Sequence, residues 1–125
     1  MIKLMPLVTN VSSETEVGSE VGSGLLRVIE MFRDIDPEIQ AQSVAVFLTV
    51  ANHPHPMKMA DIGNRLSLAQ SSVSRNVAYL GSVNRHHKKG HGLLDAYEDP
   101  TERRRKLVKL TAKGQRFFQR VSTTF

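Results

Sequence analysis

No cysteine occurs in the 125 residues, which excludes disulfide staples, thiolate metal sites and cysteine nucleophiles, and leaves the redox compartment open. No apolar run reaches the length of a membrane span or a secretory core: the start, MIKLMPLV, has one lysine and then a few apolar residues broken by Pro6. A cytoplasmic protein without membrane attachment is the expectation. Catalytic furniture is missing too, with no paired carboxylates, no glycine phosphate cradle and no activated nucleophile, so the chain does not read as an enzyme. The last shortage is of negative charge in one half. Residues 1 to 51 hold three basic residues against seven acidic ones, a net of −4, whereas the remainder holds fourteen against five, a net of +9. With a pI near 9.9, positive charge confined to one half favours a polyanion partner, because each neutralised phosphate releases counterions. An anionic membrane surface would compete, but no basic amphipathic helix with a wide apolar face is present.

What is there suffices for one small domain with a single core: 14.0 kDa and 40% hydrophobic. The organising stretch is Met57 to Leu80, MKMADIGNRLSLAQSSVSRNVAYL. Met59, Ile62 and Leu66 recur at helical spacing, as do Val73, Val77 and Leu80 after a break. Leu66-Ser67-Leu68-Ala69 between them is too short for anything but a turn, which predicts a helix-turn-helix over 57–80. Gly63 falls near the expected crossing, where a missing side chain lets two axes approach. The opposite face of the second helix carries Gln70, Ser71, Ser72, Ser74, Arg75 and Asn76, short or forked hydrogen-bonding groups with one positive charge and no negative one. Such a face suits base edges and phosphates; ordinary solvated helix surface is the alternative reading.

In chain order, residues 1–19 are rich in Ser, Thr, Glu and Gly and predict an irregular N-terminal arm, whose apolar tip could be loose, pack on its own domain or reach a second subunit. The rest, 20–125, is the folded domain. Leu25, Val28, Ile29, Phe32 and Ile35 predict a helix ended by Asp36-Pro37. Pro37 can open the next helix, expected to run to about Ala51 and to bury Val44, Phe47, Leu48 and Ala51. His53-Pro54-His55-Pro56 is then a stiff connector.

Residues 81–91 form a basic loop in which Arg85, Lys88 and Lys89 can touch a nucleic-acid backbone. His86, His87 and His91 invite a metal, but no carboxylate or cysteine lies at ligand spacing, so no metal and no cofactor is expected. The wing, 92–110, has strands over Leu93 to Tyr97 and Lys106 to Leu110, joined by a turn from Glu98 to Arg105. Arg103, Arg104, Arg105 and Lys106 at its tip need a counter-charge: Asp99 and Glu102 can pair with part of it, and the rest can enter a narrow minor groove. A solvated turn with internal ion pairs is the competing reading. A short last helix, 111–122, starts at Thr111, whose hydroxyl can accept from the Gly114 amide.

This order, mainly α with a small β-hairpin, resembles the winged helix-turn-helix of MarR-type transcription regulators. The tandem helices match at Leu68, Gln70, Ser71, Val73, Ser74, Arg75, Val77 and Leu80. The wing, GLLDAYEDPTERRRKLVKLTAKG, matches more specifically, at Asp99, Pro100, Glu102, Arg103, Arg104, Leu110, Thr111 and Gly114. The resemblance covers about half the chain. It implies a sequence-specific regulator of double-stranded DNA, with the helix from Gln70 in the major groove, the tip arginines in the adjacent minor groove, and a dimer on half-sites about one helical turn apart. A non-regulatory architectural or replication-associated DNA-binding protein of a mobile element is the alternative. Three departures stand out. Gly81 to His91 lengthen the passage to the wing; Ala69 replaces a capping Ser or Thr, a loss of about 1 kcal/mol; and the chain ends soon after Phe118. The family's long C-terminal dimerisation helix is therefore expected to be absent. That shifts a homodimer contact to the helix around Leu25 to Ile35 and the arm, and puts a small-molecule effector pocket in doubt.

Overall fold

The computed structural model describes the backbone of residues 11–82 and 90–125, with side chains from Gly18 onward within those ranges. In chain order it contains α1 (Val11–Ile35), α2 (Ala41–Ala51), β1 (Met57–Lys58), α3 (Met59–Leu66), α4 (Gln70–Leu80), β2 (Leu94–Asp99), β3 (Glu102–Leu110) and α5 (Ala112–Ser122). The strands form one antiparallel sheet in the order β1-β3-β2. The architecture is the mainly helical winged helix-turn-helix that the resemblance implies.

α1 corrects the expectation of an irregular arm through residue 19, since the helix already begins at Val11. Once a helix is nucleated, each added residue gains a backbone hydrogen bond. Glycines 18, 22 and 24 weaken that propagation by about 1 kcal/mol each relative to alanine without stopping it. The apolar residues of α1 divide between two faces. Val28 and Phe32 are buried, whereas Leu25, Leu26 and Ile29 are 48%, 60% and 47% exposed.

Pro37 does not open α2, which starts at Ala41. The Asp36 carboxylate accepts the Glu38 amide at 2.9 Å and the Asp36 carbonyl accepts the Ile39 amide at 3.0 Å, so the proline sits inside a tight turn. α2 turns Val46, Phe47 and Val50 fully inward, and of the four residues expected there Val44, Leu48 and Ala51 are only half-buried. The rings of Phe32, Phe47 and Phe117 meet edge to face at centroid distances of 4.9 to 5.7 Å, tying α1, α2 and α5 together. Each such contact adds about 0.5–1.5 kcal/mol beyond area burial.

The helix-turn-helix forms as expected from Met59 onward. Ser67 closes α3 in the left-handed region at φ 55°, and the Leu68 amide returns to the Gly63 carbonyl at 2.9 Å. A Cβ on Gly63 would stand 2.9 Å from the Leu68 carbonyl oxygen and 3.4 Å from Val73 Cγ2, which is why the crossing takes a glycine. Met57 and Lys58 precede the helix as a two-residue strand, with Met57 opposite Val108 and Lys58 opposite Leu107. At the far end Thr111 accepts the Gly114 amide at 3.0 Å, the predicted cap, and donates its hydroxyl to the Gly92 carbonyl at 2.6 Å.

Candidate nucleic-acid interface

α4 is seated by Val73, Val77 and Leu80, all buried. Successive helical residues are rotated by roughly 100°, which puts Gln70, Ser71, Ser74 and Arg75 on the open side; each of them is exposed. Ser72 is half-buried and its hydroxyl accepts from Arg75 Nη2 at 3.2 Å. Asn76 is different. It lies on the flank of the buried face, is 8% exposed, and both ends of its amide are engaged: Nδ2 donates to Gln42 Oε1 and to the Ser72 carbonyl, both at 2.8 Å, while Oδ1 accepts from Ser43 Oγ at 2.6 Å. With both N–H donors taken, Asn76 joins α4 to α2 and presents nothing to a base. Its expected place among the reading residues is corrected by one helical step, because it shares the side of Val73 and Val77.

Further along α4 the Tyr79 hydroxyl donates to the Asp36 carboxylate, and its ring meets His91 edge on at 4.7 Å. The hydrogen bond from Tyr79, then the Glu38 amide, hold the Asp36 carboxyl below the usual range. Burial first, and Asp36 second, push the Tyr79 hydroxyl well above its usual value. This tie between α4 and the α1–α2 turn joins residues far apart in sequence, and no local pattern announces it.

The wing also departs from expectation. Its turn is only Pro100-Thr101, because both strands extend past their predicted ends. Regular pairing stops at Glu98 opposite Lys106, and the next pair is Asp99 with Glu102. Arg103, Arg104 and Arg105 fall in the register shift between those pairs, so the strand bulges at its arginines, and all three are exposed along with Lys106. Asp99 is tied into the tip: Oδ1 accepts the Thr101 amide at 2.9 Å and its hydroxyl at 2.7 Å, and Oδ2 lies 3.6 Å from Arg105 Nε. The Thr101 hydrogen bonds, with the Arg105 charge behind them, hold the Asp99 carboxyl below the usual range. Glu102 takes the Arg104 backbone amide at 3.4 Å rather than a guanidinium.

The helix and the wing open onto one cleft of about 240 Å³, lined by Lys58, Met59, Ala60, Gln70, Ser74, Arg104, Arg105 and Lys106. Four of these are cations and none is acidic. Arg75, one residue round the helix from Ser74, lines a separate open cleft with Asp36, Glu38 and Gln40. Lys58 has no counterpart among the expected site residues, since a two-residue strand is too short to show a period. The loop residues Arg85, Lys88 and Lys89, and with them His86 and His87, lie outside the described residues. The stems of that loop are laced together: the Gly90, Gly92 and Leu93 amides donate to the Ser82, Gly81 and Leu80 carbonyls at 3.0, 2.8 and 2.7 Å. Among the described residues no group of three His, Asp or Glu side chains could hold a metal, and no helix is long and apolar enough to cross a membrane.

Comparison with known proteins agrees with this geometry. Residues 39–114 match the family model of the winged helix DNA-binding domain. Among solved structures, the PcaV transcriptional regulator from Streptomyces coelicolor is similar at 25% identity and a TM-score of 0.57, over 86% of this chain and 73% of that one. A MarR-family transcriptional regulator from Rhodococcus sp. RHA1 shares the fold at 19% identity and a TM-score of 0.59, over 94% and 76% of the two chains. The YusO protein from Bacillus subtilis does so at 15% and 0.60, over 90% and 72%. No curated protein sequence matches the chain.

Proposed function

Because the chain belongs to the winged helix DNA-binding domain family, we propose that it is a transcription regulator that reads double-stranded DNA by sequence and acts by occupancy. In this reading Gln70, Ser71, Ser74 and Arg75 enter the major groove, where an arginine can grip guanine with two hydrogen bonds. Arg103, Arg104, Arg105 and Lys106 reach the adjacent minor groove, whose negative potential attracts them. The observation that carries the reading is the shared cleft: the open face of α4 and the arginine bulge of β3 border the same acid-free space. The MarR-family regulator and PcaV, which share the fold, are transcriptional regulators by name.

A homodimer completes the proposal. Leu25, Leu26 and Ile29 form an apolar stripe on α1 that the described residues leave about half exposed, and two such helices side by side would bury it. Titration of selected and scrambled duplexes against salt is the test. A regulator keeps a preference of about 10³ or more. A ratio near one at every salt concentration would instead point to the architectural alternative, built on phosphate contacts alone.

A further inference from the structure

We propose that Lys58 holds a backbone phosphate of the bound duplex in the cleft between α4 and the wing, beside the β3 cations that enter the minor groove; this rests on the DNA-binding reading above. A protein whose helix and wing occupy neighbouring grooves must straddle the sugar-phosphate ridge that separates them, and the space between the two elements is where that ridge passes. Lys58 lies on the edge of that space for a reason in the backbone. Pairing of Met57 with Val108 and Lys58 with Leu107 fixes β1 against the wing strand. Met57 is 2% exposed and points inward, so alternation along the strand turns Lys58 outward.

The charges agree. Arg105 has Asp99 at 3.6 Å, whereas Lys58, Arg104 and Lys106 have no ion-pair partner among the described residues. Three like charges around one cleft repel over distances shorter than the Debye length of about 8 Å, and a phosphodiester entering the cleft relieves that repulsion. A lysine suits the role because its ammonium is a point charge with three donors and no fixed plane. A contact of this kind sets the register of helix and wing on the duplex without reading a base.

The test uses the full chain with Lys58→Gln, a duplex selected from a randomised pool, and a scrambled duplex of the same length. The expected result is a several-fold loss of affinity, equal on both duplexes, with the salt slope reduced by about 1, an unchanged melting temperature, and recovery of the slope in Lys58→Arg. A loss confined to the selected duplex would overturn the phosphate role, since only a base contact discriminates. An unchanged slope in Lys58→Gln, while Arg103→Ala still weakens binding, would overturn the role of Lys58 and leave the DNA-binding reading standing. Absence of salt-dependent duplex binding by the unaltered chain would remove both.

Discussion

α4 and the wing border the same cleft, yet they are secured in opposite ways. α4 buries Val73, Val77 and Leu80 and is fastened by hydrogen bonds from Asn76 to Gln42, from Ser43 to Asn76 and from Tyr79 to Asp36. The wing is exposed from Glu102 to Lys106, and side-chain ties at its tip come from Asp99 and, weakly, Glu102. The difference fits what the proposed function asks of each element. A hydrogen bond to a base edge fails when its donor moves by a few tenths of an ångström, so a reading helix must be rigid. The potential of a groove varies over a Debye length of about 8 Å, so arginines that follow it need no fixed seat.

Breaking the rigid half has the largest expected effect. Asn76→Ala leaves the Ser43 hydroxyl and the Gln42 amide short of a partner at the α2–α4 contact, a loss of about 1–3 kcal/mol in denaturant unfolding. DNA affinity should then fall alike on all sequences. If stability held while the preference at one base pair relaxed, Asn76 would be a reader after all. Arg75→Ala and Arg104→Ala sharpen the contrast from the two sides. The former should lose about 1–3 kcal/mol on the selected duplex and relax particular positions, and the latter should weaken every duplex and lower the salt slope by about 1. A·T-rich flanks should suffer most from Arg104→Ala, because their narrow minor groove is the more negative one. Interchanged signatures would mean that the wing reads and the helix merely grips.

Much of this was legible from the residues, for physical reasons that are local. The three-four spacing of Val73, Val77 and Leu80 reports which side is inward, Gly63 marks a crossing, and Thr111 caps its helix through a bond three residues long. What escaped depends on partners distant in sequence. Asn76 carries the chemistry of a base reader, and only the position of α2 reveals that Gln42 and Ser43 claim it. β1 is a strand only because β3 lies beside it. Composition misjudged the start of α1, because Ser, Thr and Gly weaken a helix by increments that continuing propagation can offset. The polar run from Glu98 to Arg105 reads as one long turn, and the register shift that folds most of it into a bulged strand has no signature short of the pairing itself.

The smallest expected effect tests how lightly the wing is tied. Asp99 titrates below the ordinary carboxylate value of about 3.9 because its charged form accepts the Thr101 hydrogen bonds and faces Arg105. A carboxyl whose folded pKa lies below its unfolded pKa stabilises the fold fully above the unfolded value, and that contribution disappears as pH falls through the folded one. Thermal stability should therefore be flat through neutral pH and decline below about pH 4, with Asp99→Asn showing a slightly lower melting temperature at neutrality and a shallower acid decline. Asp36 is depressed as well, through Tyr79, so the two must be separated. Tyr79→Phe should return the Asp36 titration toward its ordinary range while leaving that of Asp99 in place, read from the carboxyl carbon shifts of each. Should Asp99→Asn reproduce the unaltered acid profile, the tip would be held by its backbone ladder alone. The arginine bulge would then need no anchor at all, which is the limit toward which the contrast with α4 points.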